Sequence, residues 1–269
     1  MGIGALKERP LRVISASRRV DLVGGYPHLF AEILEAKCPP DQVHTVVIWT
    51  KDPRHLLAHR KLRATLGRYG QLFLHLTVTG MGASALEPRV PEPESVLALL
   101  PALIEFVGSP ERIRIRFDPI VHVRLADGTE ICNLKYFAEL APRLRELGLT
   151  DVTTSWLSLY PKVKRRLARI GAVALDPGPE VWREEAAWLQ RKAEEYGLRV
   201  HGCCVPGWPR SRCIDGDLLT RLHPRGEPAS TRKAKGQRAL CGCTESWDIG
   251  WYVKCLLGCR YCYANPVHL

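Results

Sequence analysis

No stretch of about 18 consecutive apolar residues occurs in this 269-residue chain, so no membrane span is expected. The opening residues, MGIGALKERPLRVISAS, hold no continuous apolar run and no small-residue cleavage site. They predict no secretory signal and a cytoplasmic location. No G-x-G-x-x-G and no P-loop sequence appears, which removes both nucleotide fingerprints. His55 and His59 have H-x3-H spacing, which can place both on one helix face. Leu56 stands where a metalloprotease motif has glutamate, so a zinc hydrolase has little support and a solvated pair is expected. G-x-S-x-G is absent too, and with it the nucleophile elbow. There is no internal repeat.

What remains is a chain with 46% hydrophobic residues, ample for a packed core, and a formal net charge of +11. That charge makes an anionic partner a candidate, nucleic acid first; a solvated basic surface is the plainer alternative. Ten cysteines in a long chain without an export signal read as reduced thiols available to metal or catalysis, not as a disulfide scaffold. Eight of the ten lie between Cys203 and Cys262; Cys38 and Cys132 read as isolated buried cysteines.

Short β-branched runs alternate with amphipathic ones. LRVISAS, VHTVVIW, LFLHLTVT, RIRIRFDPIV, DVTTSWLSL and LRVHGCCV read as strands. HLFAEILEA, VLALLPALIEFV, LKYFAELAPRLRELG and WREEAAWLQRKAEEYG read as helices, and Gly108, Gly148 and Gly197 as helix ends. About six βα units predict an α/β fold: a full or partial β/α (TIM-like) barrel, with an open doubly wound sheet as rival. After Val205 the chain becomes rich in Pro, Gly and basic residues. We therefore expect a barrel over 1–205 and a cysteine-rich, metal-ordered segment over 206–269 capping its mouth, the two forming one integrated domain.

The segment KCLLGCRYCYAN places Cys255, Cys259 and Cys262 at C-x3-C-x2-C spacing. Thiolates are soft ligands that select zinc or iron–sulfur iron over magnesium or calcium. Three cysteines can hold three irons of a 4Fe–4S cubane and leave the fourth open. Gly258 suits a tight loop that turns the thiolates to one side. Cys203, Cys204, Cys213, Cys241 and Cys243 can supply four ligands to a second centre, either another 4Fe–4S cluster or zinc.

The C-x3-C-x2-C spacing, with an aromatic residue before the last cysteine, resembles the signature of radical S-adenosylmethionine enzymes. The resemblance implies that Cys255, Cys259 and Cys262 ligate a cluster whose open iron chelates S-adenosylmethionine. It also implies that Tyr261 packs near the adenine, that a partial barrel of six βα units forms the core, and that a cytosolic electron donor serves the cluster. In that superfamily the motif follows the first strand; here it follows the last. The superfamily's Gly-Gly-Glu has no clear counterpart, since VGGYP at 23–27 has the glycines without the acid. At ISASRRVD, VVIWTKDP, LEPRVP, RFDPI and CGCTESWDIGWYVKCLLGCRYCYAN, the chain resembles, from about Ile14 to Asn265, the bacterial family named domain of unknown function 1848. That family is noted for a C-terminal cysteine cluster like the radical motif; it supports a metal centre and leaves the substrate open.

In β/α barrels chemistry sits at the C-terminal strand ends. Arg18, Arg19, Lys51 and Arg116 there are candidates for binding the anionic parts of cofactor or substrate, with Asp118 beside them. Arg116 and Asp118 can equally pair and satisfy one another. Asp21 can cap a helix, Ser17 can bond local backbone and Asp248 can order its loop. Trp49 reads as core and His201 as a hydrogen-bonded histidine more than a ligand. Three functions follow: a radical enzyme acting on an anionic substrate, a zinc-stabilised nucleic-acid-binding protein, and an Fe–S electron-transfer or redox-sensing protein.

Overall fold

The computed structural model describes residues 11–264; the outer ends of both expected segments, and Asn265, lie outside the described residues. All six expected strands form: β1 (Arg12–Ala16), β2 (Val43–Thr50), β3 (Leu72–Thr77), β4 (Ile113–Ile120), β7 (Asp151–Trp156) and β9 (Arg199–Gly202). Four shorter strands join them: β5 (His122–Arg124), β6 (Glu130–Cys132), β8 (Val173–Ala174) and β10 (Trp247–Asp248). The main sheet runs β10-β1-β2-β3-β4-β7-β9, and every neighbouring pair is parallel. Among the described residues the two edge strands β9 and β10 do not pair with each other. The fold is thus a mixed α/β one with an open, seven-stranded parallel sheet, and the closed form of the expected barrel is not formed. A small antiparallel sheet, β6-β5-β8, stands beside it.

Among the described residues ten α-helices accompany the strands. They are α1 (Leu22–Gly25), α2 (Pro27–Lys37), α3 (Arg54–Ala58), α4 (Arg60–Leu66), α5 (Pro93–Leu97), α6 (Leu100–Val107), α7 (Phe137–Glu146), α8 (Pro161–Ala168), α9 (Gly178–Glu195) and α10 (Gly216–Leu222). Gly108, Gly148 and Gly197 end helical runs with positive φ, as anticipated. VLALLPALIEFV breaks into α5 and α6, with Pro101 opening the second helix, where its missing N–H costs nothing. His59 interrupts the helix after β2 and accepts from Leu62 N to cap α4. His55 and His59 therefore do not share one helix face.

Because strand side chains alternate, each long strand presents two chemistries. Ile14, Val46, Ile48, Leu72, Leu74, Leu76, Ile113, Ile115, Phe117 and Val152 face the helices in the main core. Their neighbours point to the opposite face and are far more polar: Ser15, Thr45, His75, Arg114, Arg116, Asp118, Thr153 and Ser155. The cysteine-rich segment covers that polar face. Thr153 and Ser211 hydroxyls meet at 2.9 Å, Arg114 Nη1 donates to Arg212 O at 2.9 Å, and His75 Nε2 meets Cys213 O at 2.6 Å. Gln71 Nε2 donates to Leu219 O at 2.9 Å. Ile214, Leu219, Ala229 and Cys243 pack on Val13, Val47 and Phe73. The segment after Val205 thus lies along the sheet as well as at its strand ends, and contributes both α10 and the edge strand β10. Buried hydrogen-bonding groups need such partners, so this cover and the polar face require each other.

Candidate cofactor and metal site

The strand ends converge on one region. Asp248 anchors the last part of the chain to β1 by accepting from Ser15 Oγ at 3.0 Å, Ser17 Oγ at 2.9 Å and Gly250 N at 2.9 Å. Ser17 also accepts from Arg19 N at 3.1 Å. Asp21 caps α1 through Gly24 N at 2.8 Å and accepts from Lys51 N at 2.8 Å. Burial raises its pKa to about 6 against those hydrogen bonds. These anchors set the loop that carries Cys255, Cys259 and Cys262. Its apolar residues rest on the glycines of VGGYP. A Cβ on Gly24 would lie 2.9 Å from Asp52 Cβ and 3.2 Å from Leu257, and one on Gly25 would touch Leu256 at 3.6 Å. Tyr26 O–H donates to Lys254 O at 2.6 Å. The paired glycines therefore seat the cysteine loop, a role that needs small residues and no acid. Gly258 takes a positive φ of 68°, as the tight loop requires.

The three cysteines line one cavity of about 220 Å³ with Arg89, Arg166, Arg169, Lys254 and Arg260. Cys262 lies close enough for its charge to raise the pKa of both Cys255 and Cys259. Burial is the larger cause and pushes Cys259 to about 12. Tyr261 is 4% exposed. Its phenol meets Glu87 and accepts from Lys51 Nζ at 3.0 Å. Lys51 itself pairs with Glu87 at 2.5 Å. Thr79 O–H donates to Glu87 Oε2 at 2.9 Å. Lys51, a candidate for binding an anionic group, is thus ion-paired with Glu87 under the cysteine loop.

The second thiol group starts where β9 ends. Cys213, Cys241 and Cys243 share one packed cluster on the sheet, and Arg238 donates to Cys203 Sγ at 3.5 Å. Arg116 Nη1 donates to Cys213 Sγ at 2.9 Å and its other nitrogen pairs with Asp118. Of the two readings of Arg116 and Asp118, mutual pairing is the arrangement found, and Ser155 O–H also donates to Asp118. Cys213 is held well below a thiol's usual value, first by the Cys203 and Cys243 hydrogen bonds and then by Arg116. Cys241 falls to about 6 through its bond from Cys243. Cys204, the fifth cysteine, is half-buried and takes a positive φ of 60°. With Cys203, Trp156, Trp182, Trp208 and Arg238 it lines a second cavity of about 730 Å³. Asp118 is near both groups, since its charge raises Cys203 and Tyr261.

Arg18 stacks its guanidinium 5.5 Å over Trp49, which lies against His75. One buried guanidinium nitrogen of Arg18 has no partner among the described residues, and its charge reaches Cys241 and Cys243. Arg19 donates to Gly250 O at 2.9 Å and covers Tyr252. His201 bonds Asp151 at 2.9 Å. Cys38 is buried as expected, but Cys132 is exposed on the edge strand β6 beside His122. A two-stranded pairing of residues ten apart left no pattern from which its exposure was readable.

The donor sets fit soft metal chemistry. Tetrahedral zinc at about 2.3 Å from each sulfur holds its thiolates about 3.8 Å apart. Among the described residues no three of these sulfurs lie within 4.8 Å of one another.

A parallel α/β sheet whose strand ends meet two groups of thiols defines the class of protein: an α/β fold with a cysteine-lined site. The chain belongs to the family Domain of unknown function (DUF1848), whose model matches residues 25–264. No curated protein matches. Two crystal structures of Streptococcus suis SuiB are similar. The one bound to S-adenosylmethionine matches with a TM-score of 0.39 and 12% identity, over 80% of this chain and 53% of that one. The other has a TM-score of 0.36 and 14% identity, over 78% and 51%. The chain spans about half the length of the SuiB chains it matches. Among the described residues no helix is long and apolar enough to cross a membrane.

Proposed function

We propose that this chain is an iron–sulfur enzyme of the radical S-adenosylmethionine type acting on an anionic substrate. In this reading Cys255, Cys259 and Cys262 hold a 4Fe–4S cluster with one open iron, and Cys203, Cys213, Cys241 and Cys243 hold a second. The observation that carries it is two groups of soft donors beside arginines, Cys255, Cys259 and Cys262 lining one cavity and Cys203, Cys213, Cys241 and Cys243 on the polar side of one parallel sheet. When bound, the three-cysteine cluster supplies the electron that cleaves S-adenosylmethionine to a 5′-deoxyadenosyl radical.

The chain's own residues do the rest. Arg89, Arg166 and Arg169 offset the negative charge of a thiolate-bound cluster in their shared cavity. The unpartnered nitrogen of Arg18 offers the same to the second group. The Lys51–Glu87–Tyr261 bracket fixes the loop between Cys259 and Cys262. The cavity of about 730 Å³ beside Cys203, with three tryptophans and Arg238, Arg183 and Lys164, suits an anionic substrate with an apolar or planar body.

The test is iron, acid-labile sulfide and zinc per chain on protein purified without oxygen, with S-adenosylmethionine cleavage assayed on the same reduced sample. We expect about eight irons, about four lost in Cys259→Ser and the other four in Cys213→Ser, and 5′-deoxyadenosine as product only while Cys259 is present. Zinc in place of iron at both groups overturns the reading and moves the basic surface, with salt-dependent nucleic-acid binding, to the front. Iron without cleavage reduces it to electron transfer or sensing.

A further inference from the structure

The side sheet brings together three ligating groups that neither cysteine group uses. His122 and Cys132 are direct partners in the antiparallel β5–β6 pair, which puts their side chains on one face. Glu185 from α9 completes a triangle. His122 Nε2 lies 2.8 Å from Glu185 Oε1, and Cys132 Sγ lies 3.9 Å from each of them. Glu185 is 8% exposed, and its other oxygen accepts from the Trp156 indole N–H at 2.6 Å. The carboxylate is thereby held with Oε1 turned toward the histidine and the thiol.

We infer that His122, Cys132 and Glu185 bind one zinc ion, independently of the iron–sulfur reading. The distances admit it. With zinc about 2.05 Å from nitrogen and oxygen and about 2.3 Å from sulfur, a point about 0.5 Å out of the plane of the three ligand atoms satisfies all three observed separations. The contrast with the other thiols is direct, because this is the one trio of such groups among the described residues with all ligand atoms within 4.8 Å. Imidazole with thiolate suits zinc and not magnesium or calcium, which take oxygen cages. Three protein ligands leave a fourth position for water or a substrate oxygen, the arrangement of zinc sites that polarise a ligand. Trp156 is the outer partner that orients the glutamate, and its ring also lines the cavity of about 730 Å³. Zinc takes neutral imidazole with ionised thiolate and carboxylate, so the site releases protons as it fills.

The experiment is equilibrium dialysis of the anaerobically purified protein against zinc with a competing chelator, reading zinc and iron together. Wild type is expected to hold one more zinc per chain than Cys132→Ser or His122→Gln, at unchanged iron. Trp156→Phe, which keeps all three ligands, is expected to bind that zinc about 10–100-fold more weakly. Far-UV circular dichroism identifies any variant that fails to fold, and the remaining variants then decide. Equal zinc in wild type and in either folded ligand variant overturns the site. Loss of zinc only in Cys213→Ser overturns it too, by assigning the metal to the second thiol group. Because iron is read separately, failure of this site and failure of the cluster reading give different results.

Discussion

Glu87→Gln is the substitution on which the buried bracket under the cysteine loop depends most. Glu87 is 1% exposed and Lys51 16%, and their charged atoms are 2.5 Å apart. Burial alone would push the Lys51 ammonium down; Glu87 and then Cys259 reverse that and hold its pKa above the ordinary value. Removing the carboxylate's charge leaves a buried cation facing a neutral amide oxygen and the Tyr261 phenol at 3.0 Å. Breaking one side of a buried pair costs about 3–5 kcal/mol, because the orphaned charge keeps its desolvation penalty. That is roughly two to four orders of magnitude in the folding equilibrium. Replacing both members, as in Lys51→Met with Glu87→Gln, removes the orphan, and the double variant is expected to recover most of the loss. Urea unfolding followed by far-UV circular dichroism, without oxygen, measures all three. A loss below about 1 kcal/mol for Glu87→Gln, the range of an exposed pair, refutes the reasoning, as does a double variant less stable than the single one.

Two further outcomes follow from the same physics. Gly24→Ala places a methyl 2.9 Å from Asp52 Cβ, and is expected to cost about 2 kcal/mol, a melting point lower by roughly 4–8 °C; Gly70→Ala, with only His223 Nε2 at 3.8 Å, is expected to leave it within a degree or two. Burial would raise Asp151, yet hydrogen bonds from His201 and Arg199 hold it well below the carboxylate range. Its stabilisation is therefore present above about pH 4, its unfolded value, and lost as pH falls further toward the folded value. Wild type should exceed Asp151→Asn by about 1–3 kcal/mol at pH 7, with the gap closing below pH 4; a gap independent of pH refutes the assignment.

The parts of the fold that were legible had strong local signals. Six β-branched runs became the six long parallel strands because hydrogen-bonded backbone and half-buried branched side chains suit each other anywhere in a sheet. Helix ends at Gly108, Gly148 and Gly197 were legible because only glycine enters the left-handed region cheaply. Strands of two or three residues, β5, β6, β8 and β10, have no period to read, so the side sheet and the seventh strand went unseen. Alternation in RIRIRFD marks two faces, but not what covers the polar one.

The sequence by itself determined the class of fold, because strand patterning is a local property of the chain. Tertiary structure alone decided which charges are spent on each other. Lys51 meets Glu87 across 36 positions, Arg116 meets Cys213 across 97, and Ser15 meets Asp248 across 233. It decided also that His122 and Cys132 face Glu185, and that the segment after Val205 lies along the polar face of the sheet. Burial sets the value of a charge or a hydrogen bond, and burial belongs to the packed whole, not to any stretch of it.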